Sequence, residues 1–96
     1  MIIFIATLHV KPGKEKEFEG LQQELSRLTH DSEPGTAVYD VIRHRDKPGV
    51  YVVYARFKDQ AAFDLHQTSS FHDRLVPPIL ATLGAEMDLQ FFEFVG

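Results

Sequence analysis

The chain contains no cysteine, so disulfides, zinc–thiolate centres and thiol catalysis are excluded, and the composition suits a reducing interior. It also lacks a basic excess. Lys and Arg number 10 against 14 Asp and Glu, for a formal charge of −4, and the two signs are interspersed. There is no cationic stripe for nucleic acid and no polybasic patch for a membrane surface. Long apolar runs are missing as well. Met1 to Ala6 is too short to span a bilayer and has no cationic segment before it, so neither a signal peptide nor an anchor is expected and the cytoplasm is the expected compartment. No repeat or low-complexity segment interrupts the 96 residues, a length that makes one domain, residues 1–96, with a single core.

Ile2 to Val10 is rich in β-branched and aromatic residues and predicts a strand that is apolar on both faces. Lys11-Pro12-Gly13-Lys14 turns the chain. From Glu15 the apolar period becomes helical, through Phe18, Leu21, Leu25 and Leu28, and the helix is expected to stop between Thr29 and Ser32, ahead of the breaker Glu33-Pro34-Gly35. Thr36 to Arg45 and Val50 to Lys58 read as two strands joined by Asp46-Lys47-Pro48-Gly49, whose Pro and Gly favour a hairpin. In the second of these, Tyr51, Val53, Ala55 and Phe57 share one face. Asp59 is placed to cap a short helix through His66, and Thr68 or Ser69 to cap the next, which Pro77-Pro78 is expected to bend or interrupt. Met87 to Val95 is the last predicted strand.

Strand, helix, strand, strand, helix, strand with short links defines an α+β, ferredoxin-like βαββαβ fold on a four-stranded antiparallel sheet. Helices can cover only one face of such a sheet, yet its strands are apolar on both. The expected partner for the second face is another copy of the chain, in a two-fold homodimer.

Val10-Lys11-Pro12-Gly13-Lys14 with Phe18, Glu33-Pro34-Gly35 before Tyr39-Asp40-Val41, the Pro48-Gly49 hairpin, Tyr54 with Phe57-Lys58-Asp59, Ala62, His66 and Ser70-Phe71-His72 together resemble the antibiotic biosynthesis monooxygenase family of dimeric α+β barrel proteins. The resemblance runs through nearly the whole chain. It implies a homodimer acting on a small aromatic substrate of the quinol or anthrone type, by base-assisted reaction with dioxygen and with no cofactor. Isomerisation of a small keto metabolite, or non-catalytic ligand binding, are the alternatives on the same fold. The chain departs from the family pattern at Ala6, where oxygenating members often carry Asn, and at Ala55 and Phe57, where many carry Glu and Trp. Nothing after His72 could provide the histidine ligand that haem degradation uses.

His66 is the candidate catalytic base: it shares a helix face with Ala62 and Phe63, aimed toward the sheet, and an imidazole needs little tuning to move protons near neutral pH. The plainer account is a histidine ending a helix at the negative end of its dipole. His72, one residue after a core Phe71, is a candidate rim residue of the substrate site or a surface histidine. Val53, Phe57, Phe63 and Phe71 are expected to wall the pocket, and Tyr39 to face it, although core packing alone would explain Val53 and Phe57. No third ligand joins the two histidines at metal-binding spacing, so no metal site is expected.

Overall fold

The computed structural model describes residues 1–96. Its elements are β1 (Ile2–His9), α1 (Glu15–Ser32), β2 (Thr36–Arg43), β3 (Val50–Phe57), α2 (Gln60–Thr68), α3 (Ser70–Ala81) and β4 (Asp88–Phe92). The strands form one antiparallel sheet in the order β2-β3-β1-β4, which is the expected ferredoxin-like arrangement. β1 and β3 lie at the centre. Across them Phe4 faces Ala55, Ala6 faces Val53 and Leu8 faces Tyr51, and all six are buried under the helices. α1 brings Phe18 and Leu25 to this face, α2 brings Phe63, and α3 brings Leu75 and Ile79. Complete burial of side chains such as Phe18 and Phe57 contributes about 1.5–3 kcal/mol each.

The local signals act as the residue types suggest. The Asp59 carboxylate accepts from Ala62 N–H at 2.8 Å at the start of α2. Ser69 Oγ accepts from His72 N–H at 3.3 Å at the start of α3. Gly49 takes φ 77° to close the hairpin, a conformation that favours glycine. One expectation is corrected and another is narrowed. β4 spans only Asp88–Phe92, not Met87 to Val95, because β1 offers it partners only from Ile3 to Thr7. Pro77 and Pro78 do not interrupt α3. Both lie on its exposed side with Asp73 and Arg74, so the carbonyls freed by their missing N–H groups face water.

The other face of the sheet is bare. Val52 and Tyr54 are half-buried, while Ile42 is 56% exposed, Phe92 43% and Phe94 57%. Only Ile3 is buried there, paired between Arg56 and Phe92, and the Arg56 guanidinium lies 5.5 Å from the Phe94 ring. No helix is long and apolar enough to cross a membrane.

Candidate active site

The site is assembled where α1 ends. Glu33 N–H donates to the Thr29 carbonyl at 2.9 Å, and Thr36 N–H to the Glu33 carbonyl at 3.1 Å, which folds Glu33-Pro34-Gly35 into a tight turn. Gly35 is needed there because a Cβ on it would stand 2.7 Å from the Ala62 Cβ. The turn therefore lies directly against α2, one helical turn before His66. On this base the Glu33 carboxylate meets His66 Nδ1 at 3.0 and 3.3 Å, and Thr36 Oγ1 donates to the same Oε1 at 2.9 Å. His66 is 2% exposed and Glu33 4%, so this is a buried pair and water does not screen it.

With the Glu33 carboxylate as acceptor, the imidazole proton sits on Nδ1 and the lone pair on Nε2. Burial pushes His66 down to about 4, so it is neutral at pH 7 with Nε2 free to accept. Burial also raises Glu33, against the opposing pull of the Thr36 hydroxyl and of His72. The His72 ring stands edge-on to His66 at 4.9 Å and is lowered first by burial, then by His66. The Tyr39 ring flanks His66 at 4.9 Å, and its hydroxyl is raised by burial and then by Glu33.

A cavity of about 160 Å³ opens beside these groups, between sheet and helices, with a predominantly apolar lining. Of the residues singled out in the sequence, Tyr39, Val53, Phe63, His66 and His72 line it. Phe57 and Phe71 do not, which corrects two of the predicted walls. Phe57 is wholly buried behind the site, its ring 5.2 Å from His66 and 5.3 Å from Phe63, so it supports lining residues instead of being one. Phe71 is turned away because a helix rotates about 100° per residue, and its neighbour His72 occupies the cavity side. Two residues that the sequence reading passed over belong to the site. Glu33 was hidden in a chain-breaking tripeptide, 33 residues from its partner. Gln22 lines the cavity from α1 and could have been noticed as a polar residue on the stripe Phe18, Gln22, Leu25, Thr29 that α1 buries. No group of three metal-ligating side chains converges anywhere in the structure.

An α+β sandwich whose helices enclose a histidine-bearing apolar cavity is the class of protein defined so far. Residues 1–77 match the model of the antibiotic biosynthesis monooxygenase family, and the chain belongs to that family. It is 30% identical, over 93% of each chain, to the Bacillus subtilis (strain 168) protein named "Putative monooxygenase YcnE". Among solved structures, an antibiotic biosynthesis monooxygenase is 29% identical, with a TM-score of 0.92 over 100% of both chains. A Caulobacter crescentus CB15 protein described in the same family terms is 26% identical, with a TM-score of 0.93 over 99% of this chain and 90% of that one.

Proposed function

We propose that the protein is a monooxygenase that oxidises a small hydroquinone-type ring with dioxygen, without flavin, haem or metal, and that it works as a two-fold pair joined through the bare sheet face. The observation that carries this reading is the buried Glu33–His66 pair, which leaves Nε2 as a base in an apolar cavity. His66 Nε2 takes the phenolic proton, and Glu33 steadies the imidazolium that results. The electron-rich ring then reduces dioxygen and forms a C–O bond at the carbon beside the phenolate, giving a peroxide. As the O–O bond breaks, His66 returns its proton and the peroxide carbon gives up its hydrogen. One oxygen stays as a new carbonyl and the other leaves as water, so hydroquinone plus O₂ becomes hydroxyquinone plus H₂O.

A benzene-sized ligand fills an apolar cavity of about 150 Å³. The present cavity, at about 160 Å³, therefore favours one-ring quinols over three-ring anthrones. In an oxygen electrode with a panel of hydroquinones, His66→Ala should lower kcat about a hundredfold or more while the far-ultraviolet circular dichroism stays unchanged. Equal turnover by the variant would remove the assigned base. The small cavity also suits a second reading, in which the same pair shuttles a proton to isomerise a small keto compound. Turnover of such a compound with no oxygen uptake would select it.

A further inference from the structure

The cavity carries a polar group that the chemistry at His66 does not use. Gln22 lies midway along α1, between Phe18 and Leu25 on the buried stripe, and is 4% exposed. Its side chain lines the cavity, and its Oε1 is buried without a hydrogen-bond partner. Burying a polar group unsatisfied is unfavourable, and a methionine would fill the same volume without that defect. A glutamine here makes sense when something inside the cavity completes its bonding.

We infer that Gln22 is a specificity-determining residue, which hydrogen-bonds a second oxygen substituent on the ring whose first oxygen meets His66 Nε2. The inference rests on the reading of the cavity as a phenol site. The two groups reach the cavity from different helices, α1 and α2, and the rest of the lining is mainly apolar. A ring with one oxygen satisfies only one of them. The choice of a carboxamide also has a chemical sense. It carries both a carbonyl acceptor and an NH₂ donor, so it keeps a bond when the ligand's second oxygen changes from hydroxyl to carbonyl during oxidation. A carboxylate would hold only the hydroxyl form and an ammonium would favour the carbonyl.

The test is NMR titration, under nitrogen, of wild type and Gln22→Met with hydroquinone and with phenol, beside thermal melts of both proteins. The preference for hydroquinone over phenol should fall about tenfold in the variant, and its melting temperature should equal or exceed that of wild type. If both compounds bind and the preference is the same in the two proteins within twofold, the role of Gln22 is overturned while the phenol site stands. If neither compound shifts any cavity resonance in wild type, the phenol site falls and the role of Gln22 with it. A collapsed preference beside unchanged oxygen uptake by His66→Ala would uphold Gln22 and discard the base.

Discussion

Two carboxylates, one near each end of α1, meet a ring carried by another element, and their surroundings make them opposites. Glu19 accepts from the Tyr51 hydroxyl and lies 3.2 Å from Arg43 at the protein surface. It is held below the usual carboxylate range, chiefly by the Tyr51 hydrogen bond. Tyr51 is pushed up to about 12, by burial first and then by Glu19. Glu33 meets His66 in the interior, where its partner is a neutral imidazole and no arginine assists, and burial raises it. A carboxylate balanced by a permanent cation keeps its charge and acts as a clasp. A buried carboxylate facing a neutral ring instead accepts the proton on Nδ1 and so fixes which ring nitrogen is left open.

The largest expected break in this contrast comes from removing each acid. Glu33→Ala leaves His66 Nδ1 and Thr36 Oγ1 buried without their partner and should cost about 2–3 kcal/mol, whereas Glu19→Ala should cost less than about 1 kcal/mol. Urea denaturation of both variants reads the difference, and equal losses would contradict the distinction. A smaller effect should follow from Gly35→Ala. Its Cβ would stand 2.7 Å from the Ala62 Cβ and should cost about 1–2 kcal/mol by forcing the turn from α2. The same variant should also loosen the Glu33–His66 contact and slow oxygen uptake, with no change at Tyr51.

The smallest effect concerns pH. His66 falls from 6.5 to about 4 on folding, so between those values the unfolded chain binds the extra proton and stability rises with pH. Acidification from pH 7.5 to 5.5 should therefore cost about 1 kcal/mol through this residue, a drop of roughly 4–8 °C in Tm. His72, also lowered, adds to the loss. The raised Glu33 acts in the opposite sense just above its ordinary value of 4.5. His66→Asn should flatten most of the slope in melts across this range, and an unchanged slope would show that another group carries it.

Much of the fold could be read from the residues because its signals are local and periodic. The stripe through Phe18 and Leu25, the Pro48-Gly49 hairpin, and the caps at Asp59 and Ser69 each depend on neighbours within a few positions. The orientation of His66 followed from Ala62 and Phe63 for the same reason. Glu33 could not be found this way. Its place depends on Gly35 lying against Ala62, a contact between distant parts of the chain that no period encodes. The choice between Phe71 and His72 for the cavity turned on helix rotation, and the end of β4 on how far β1 could pair with it. The antiparallel sheet and the family are established. The homodimer through the bare face remains a proposal, with its exposed aromatic and aliphatic side chains as its support.

β4 gives the cavity an unequal wall. Its five residues are all exposed and it is bonded to β1 alone, yet Leu89 on it and Met87 just before it line the cavity. In a single chain, the amides of this short edge should exchange with solvent well before those of β1 and β3. A guest molecule could therefore come and go by the fraying of one ribbon, while the buried proton pair on the far side keeps its alignment.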